Sequence, residues 1–245
     1  MSDGSKIDWC NATINPLGWG CYGPGGTAEK PNRCSYCYAH RLAQRNLRAC
    51  PKCRAFEPHI DHWADEWAKV GHWKKPRRIF VQSMGDFFAP STPTNTILRA
   101  RDRAFYRPTH TFVWLTRNPY RLIDFSPWPK NCWVGATATD QPSWERAILW
   151  LRRVEAPVRF ISCEPLLGPI DPVGIEVLDW LIVGRQTGPG AKPWGAQECD
   201  LALQLELAAR SKGVPVFIKD PLREEYCAAI GLGVQSRGTL TQWPR

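Results

Sequence analysis

Six of the ten cysteines fall within the first 53 residues: Cys10, Cys21, Cys34, Cys37, Cys50 and Cys53. Cys34 and Cys37 form a C-x2-C pair, a spacing that lets two thiolates converge on one metal centre at the mouth of a helix. The pattern that follows is helical. It sets Tyr38, Leu42 and Leu47, with Ala39 and Ala43, on an apolar face and leaves Arg41, Arg45 and Arg48 off it. A helix N-terminus helps to keep thiolates ionised. Cys21, thirteen residues before Cys34 across a Gly/Pro-rich loop, can supply a third ligand. Three thiolates are one short of a closed structural site, and on a four-iron cluster they leave one iron open; zinc, or no metal at all, is the alternative at the same thiols.

A second group reads C-x2-C-x5-H-x2-H: Cys50-Pro51-Lys52-Cys53, then His59 and His62. Cys50 and Cys53 suit zinc, or a second iron–sulfur cluster completed by another cysteine such as Cys10. The histidines are the weaker half of the pattern, because His-x2-His is tight for two ligands on one ion. Read without a metal, His59 and His62 open a helix containing Trp63 and Trp67, and the two cysteines occupy a surface turn. Cys132, Cys163, Cys199 and Cys227 are isolated and read as small core residues.

These side chains need a scaffold. From about residue 77 onward, short apolar runs alternate with helical patterns: Arg78 to Val81, Thr111 to Leu115, Cys132 to Ala136, Val158 to Ile161, Trp180 to Val183 and Val214 to Ile218. Helical spacing appears in Ile97, Leu98, Ala104 and Phe105, in Trp144, Ile148 and Leu151, and in Leu201, Leu205 and Ala208. Continuously apolar strands alternating with helices predict an α/β fold with a parallel sheet, a (β/α) barrel of the TIM type, partial or complete. Five strands end in Gly-, Pro- or polar-rich turns: Ser83 to Asp86, Thr116 to Pro119, Gly135 to Asp140, Ser162 to Pro165 and Gly184 to Pro193. Active sites of such folds lie at those strand ends, so Asp86 and Glu164 stand out as acids placed there. No linker divides the chain, which reads as one domain over 1–245 with a Cys-rich insertion at about 46–62.

The 245 residues carry a net charge of +9 and no apolar run long enough to span a bilayer. Met1 to Trp9 lacks the layout of a secretory signal, so the expected compartment is the reducing cytoplasm, where clustered cysteines mean metal or redox chemistry rather than disulfides. Residues 33 to 54 hold six Lys/Arg and no acid, and residues 69 to 107 hold nine against two. Tryptophans are interleaved with these runs, among them Trp63, Trp67, Trp73 and Trp114. Basic residues neutralise phosphates and aromatics stack on bases, so a nucleic acid, DNA or RNA, is favoured over a small-molecule or peptide partner.

Nearly the whole chain resembles a family of phage-associated proteins of unassigned function with a three-cysteine motif, which look like relatives of the radical S-adenosylmethionine (radical SAM) enzymes. The resemblance is carried by Ile7 to Cys10, Asn15-Pro16, Gly20-Cys21, Cys34 to Ala39, Trp73 to Val81, Ser83 to Asp86, Leu115 to Arg117, Glu164 to Ile170 and Gly188 to Ala191. It implies a [4Fe-4S] cluster on Cys21, Cys34 and Cys37 after the first strand, with S-adenosylmethionine on the open iron. Tyr36 matches the aromatic position near the adenine. Ser83, Gly85 and Asp86 take the place of the turn that receives the methionine amino group, while Thr116 and Glu164 are further cofactor or substrate contacts. Two departures stand out: the usual C-x3-C-x2-C is stretched to twelve residues in its first interval, and Gly184-Arg185-Gln186-Thr187-Gly188 replaces the family's Gly-Gly-Glu-Ser-Gly. The implied function is a cytoplasmic radical SAM-type lyase or transferase that modifies or repairs a nucleic acid with help from a reductant protein. No catalytic residue is assigned. The alternative is a non-catalytic, metal-stabilised nucleic-acid-binding protein acting with a partner enzyme.

Overall fold

The computed structural model describes residues 7–187, 191, 195–220, 223, 226 and 241–244. Seven strands form one parallel sheet in sequence order: β1 (Ala12–Ile14), β2 (Arg78–Val81), β3 (Thr111–Thr116), β4 (Cys132–Thr137), β5 (Val158–Cys163), β6 (Trp180–Val183) and β7 (Val216–Ile218). Helices α1 (Tyr38–Arg45), α2 (Pro51–Ala55) and α3 (Trp63–His72) connect β1 to β2. α4 (Thr94–Phe105) follows β2, α5 (Gln141–Leu151) follows β4, and α6 (Ala196–Ser211) follows β6. The crossovers after β3 and β5 carry only 3-10 helices, Pro119–Phe125 and Ile175–Val177. Consecutive parallel strands joined by crossovers of one hand put their helices on one face, so the sheet curls into a half-barrel. The parallel α/β expectation holds in that form.

Alternation along the strands explains why the runs look apolar throughout. Ile79, Val81, Phe112, Trp114, Val134, Ile161, Leu181 and Val216 face the helices in one core. Their neighbours Phe80, Val113, Phe160, Trp180, Ile182 and Phe217 form a second core on the concave face with Trp9 and, partly buried, Trp243. Both faces are dry, so the period of two is masked in the sequence. Gly135 makes room on the concave face: a Cβ there would lie 2.6 Å from the Phe160 ring. Trp243 closes the base of the half-barrel, 5.3 Å from Trp180 by ring centroids and beneath the Arg78 guanidinium at 3.6 Å.

The apolar face expected on α1 is corrected by the structure. Ala39 and Ala43 are its buried residues, whereas Tyr38, Leu42 and Leu47 are exposed, Leu47 lying beyond the last turn. Small side chains let α1 approach Phe56 and Met84 closely, which larger residues on that face would prevent. Cys132, Cys163 and Cys199 are buried, as core cysteines should be; Cys227 and most of Gly188 to Pro193 lie outside the described residues. Among the described residues, no helix is long and apolar enough to cross a membrane.

Candidate metal centres

Cys50 and Cys53 frame a single helical turn. Cys50 is the N-cap of α2 and its Sγ accepts the Cys53 N–H at 3.4 Å, with Pro51 at the first helical position, where no N–H is missed. The turn ends at Phe56, a non-glycine residue in the left-handed region (φ 58°), which reverses the chain and returns His59 toward the cysteines. His59 Nε2 comes to 3.2 Å from Cys53 Sγ and 3.6 Å from Cys50 Sγ; His62 Nε2 lies 3.5 and 3.6 Å from the same two atoms. All four donor atoms sit within 4.8 Å of one another. A tetrahedral zinc with ordinary Zn–S and Zn–N bonds has S···N edges of about 3.6 Å, so this cluster can bind a metal such as zinc.

The surroundings suit a ligand set. Asp61 Oδ2 lies 3.4 Å from His59 Nδ1, the position from which a carboxylate orients a metal-bound imidazole, and Lys52 Nζ donates to the same oxygen at 3.0 Å. Burial pushes the Cys53 thiol up to about 11, which a bound cation would reverse. The histidines, which the spacing disfavoured, are the third and fourth donors. The reason is that His62 precedes α3 as its N-cap residue instead of sharing a helix face with His59. Cys10 is not in the cluster; it is buried with Trp9 on the concave face.

The other three cysteines gather at the carboxyl end of the sheet. A bridge between Gly20 and Gly85 extends the β1–β2 pairing up to Cys21. It needs glycine at Gly85, because a Cβ there would come within 2.3 Å of the Gly20 carbonyl oxygen. Cys37 is the N-cap of α1 and its Sγ accepts the His40 N–H at 3.4 Å. Burial pushes the Cys21 thiol up to about 12, with the negative charge of Asp86 and the thiols of Cys37 and Cys34 adding to the rise. Burial also raises Cys37, while the Arg117 cation works against it. The three sulfurs therefore lie within electrostatic reach of one another, with the Arg117 cation beside them. Among the described residues their donor atoms are not drawn together as closely as those of the Cys50 group.

A family model described as "Protein of unknown function (DUF5131)" matches residues 4–225. The chain belongs to that family. No curated protein and no solved structure matches it. The family's description names no activity, cofactor or source.

In this DUF5131 chain the remaining sequence-named residues line the same mouth. The Tyr36 hydroxyl receives a hydrogen bond from Arg117 Nη2 at 2.6 Å and also bonds the side chain of Thr139. Ser83 donates to Asn15 Oδ1 at 3.3 Å, and its carbonyl accepts the Tyr38 hydroxyl. Glu164 pairs with Lys219 from the end of β7. Arg117 entered the sequence reading only within the Leu115 to Arg117 motif and its strand-end turn, with no role of its own, and for Thr139 and Lys219 only their places just after strands could have flagged them. The tryptophans behave differently. Trp67 and Trp114 are buried and Trp63 packs against the helix-side core, so these three hold the fold together rather than offering faces to bases. Trp73 is partly buried beside His110, under Arg77.

Asp86 is the most heavily bonded group of the mouth. It accepts from Thr116 Oγ1 at 2.7 Å, Phe88 N at 2.9 Å, Asn118 Nδ2 at 2.9 Å and Arg117 N at 3.0 Å. Those bonds tie the end of β2 to the end of β3 and fix where Arg117 stands. Asp86→Asn keeps the volume but turns a donor toward donors, and it should cost about 2–3 kcal/mol. Urea unfolding checks this: an unchanged midpoint would mean that the four bonds are not made in solution.

Proposed function

We propose that this protein is an iron–sulfur enzyme of radical SAM type that acts on a nucleic acid, with its centre at the carboxyl mouth of the half-barrel. The observation that carries this reading is the meeting of Cys21, Cys34 and Cys37 beside the ends of β2 and β3, with Arg117 and Tyr36 against them. The donor set fits such a cluster. Among the described residues there are three thiols and no fourth, and they are not drawn together as ligands of a single ion are, which suits sulfurs on different irons. The raised pKa values of Cys21 and Cys37 also fit, because such thiols ionise only when a metal takes them. When bound, a [4Fe-4S] cluster with one open iron supplies the electron that cleaves S-adenosylmethionine at its sulfonium.

The chain's own residues do the rest. Cys21, Cys34 and Cys37 hold the centre, and Arg117 balances thiolate charge and fixes the Tyr36 ring, over which its guanidinium lies at 5.5 Å. Asp86 holds the β2 turn bearing Ser83 and Gly85 in place. Below the mouth, Trp9, Phe80, Phe160 and Trp180 form a dry floor that keeps water from the reacting atoms. Ser162, on the concave face two residues beyond Phe160, is fully buried with a hydroxyl that has no hydrogen-bond partner among the described residues, which suits a polar ligand above that floor.

Anaerobic purification should give a brown protein with about four irons and four sulfides per chain. Dithionite with S-adenosylmethionine should then release 5'-deoxyadenosine and methionine. A colourless, iron-free chain would sink the reading. An intact cluster that cleaves nothing would favour the second reading, a metal-stabilised nucleic-acid-binding protein acting with a partner enzyme. The closed four-donor set of Cys50, Cys53, His59 and His62 speaks for that reading, since closed sites are structural.

The nucleic-acid partner rests on charge. Arg45, Arg48, Lys52 and Arg54 are exposed on and beside α1 and α2. A footprint of about four phosphates predicts an affinity loss on the order of 100-fold between 50 and 200 mM salt. Fluorescence anisotropy with a labelled oligonucleotide reads this directly; Arg45→Glu with Arg48→Glu should flatten the slope. Binding that ignores salt would argue for a different substrate class.

A further inference from the structure

The four-donor cluster is joined to the thiol triad through two separate segments. Residues 17 to 20, which lead directly into Cys21, lie flat against the loop between Cys53 and His59. His59 N donates to the Leu17 carbonyl at 3.0 Å, and Trp19 N donates to Cys53 Sγ at 3.2 Å. Gly18, at φ +64°, presses on the His59 ring so closely that a Cβ would sit 2.3 Å from Nε2. Gly20 meets the Glu57–Pro58 backbone in the same way, again at 2.3 Å. On its other side the segment is held by Gln82, which accepts the Leu17 N–H at 3.1 Å and donates to the Gly18 carbonyl at 2.7 Å. The segment leading to Cys21 is thus clamped between the end of β2 and the Cys/His loop.

The second segment is α1. Phe56, at the turn between Cys53 and His59, is buried against Ala39, Ala43 and Met84, with Trp19, Cys21 and Cys37 packed around them. The His40 ring lies 5.2 Å from it by centroids. Phe56 is therefore a shared floor for the helix that Cys37 caps and for the loop of Cys21. Its own position depends on a left-handed turn in a segment whose only regular element is the five-residue α2. Such a short segment has little core to hold it, and a metal on its four donors supplies folding free energy directly.

We propose that zinc bound by Cys50, Cys53, His59 and His62 is a positioning clip for the thiol triad. By locking the Cys53–His59 turn, it fixes residues 17 to 20 and Phe56, and so sets the distance between Cys21 and the Cys34–Cys37 pair. The zinc itself does no chemistry, since its four protein donors leave no open position. The consequence for activity rests on the triad being the working centre; the mechanical coupling does not.

The test uses the full chain, freed of iron, with zinc present or removed by a chelator. Elemental analysis should find one zinc per chain, and cobalt substitution should give the intense visible bands of a tetrahedral thiolate–imidazole site. Pulse labelling with a maleimide, mapped by mass spectrometry, then reads Cys21, Cys34 and Cys37 individually, with buried Cys132 and Cys163 as folding controls. Zinc removal should raise labelling of Cys21 and Cys37 by about tenfold or more while the controls stay protected. His62→Asn should behave as the zinc-free protein, and His62→Cys, which keeps a fourth donor, should restore protection. Zinc bound with unchanged labelling of Cys21 and Cys37 would overturn the clip. Absence of both stoichiometric zinc and the cobalt bands would overturn the site. Neither readout needs an iron cluster, so a chain that never binds iron can still pass or fail.

Discussion

Cys34→Ala should strip the mouth of iron while leaving zinc in place. Iron and sulfide are expected to fall from about four per chain to well under one, with loss of the visible chromophore. Three thiolates are the minimum that holds such a cluster with one iron open, and among the described residues no fourth cysteine stands ready, since Cys10 is buried on the concave face and Cys50 and Cys53 lie in their own group. Anaerobic elemental analysis separates the two metals in one measurement. Cys37→Ser sharpens the point, because serine is a good N-cap and a poor iron ligand: α1 should keep its first turn while iron is lost. If either variant retained full iron, the triad would not be the ligand set. Loss of zinc through His62→Asn should also lower iron loading if the clip positions the triad, whereas Cys34→Ala leaves all four zinc donors in place.

Trp180→Ala should produce the largest loss of stability. Trp180 is fully buried on β6 at the centre of the concave core. Its ring centroid lies 5.5 Å from Phe160, 5.8 Å from Trp133, 6.1 Å from Phe217 and 5.3 Å from Trp243, and its indole N–H donates to the Gln242 carbonyl at 2.9 Å. Truncation opens a cavity that aromatic neighbours on several strands cannot fill and orphans that carbonyl, at a cost of about 3–5 kcal/mol. For a chain of this size the melting temperature should drop by roughly 10 °C, readable by circular dichroism or calorimetry. Trp180→Phe, which keeps a ring but not the donor, should lose clearly less. A drop of only a degree or two in the alanine variant would mean that the concave face is not a packed core.

Legibility in the sequence followed the range of the interactions involved. The later strands were readable because both faces of the sheet are dry, and Trp180 to Val183 or Ile79 to Val81 then announce themselves as unbroken apolar runs. Helices α4, α5 and α6 were readable from their spacing for the same local reason. β1 was not: three residues, Ala12–Ile14, carry too little pattern, and they form a strand because β2 pairs with them from more than sixty positions away. The apolar face predicted for α1 is buried only at Ala39 and Ala43, because close packing on Phe56 admits small side chains, while Tyr38 and Leu42 stay exposed.

What the sequence determined by itself was the donor inventory: a C-x2-C pair with a distant third cysteine, a second C-x2-C followed by two histidines, and a parallel α/β scaffold ending in polar turns. Only the tertiary structure decided which donors meet. Cys50, Cys53, His59 and His62 converge because one residue, Phe56, takes a left-handed conformation that spacing does not reveal. Arg117 stands against Tyr36, 81 positions away, because Asp86 anchors the end of β3 to the end of β2. Spacing constrains neighbours along the chain, but whether distant groups share a site depends on backbone reversals and strand register, which are settled by the burial of side chains that take no part in the chemistry.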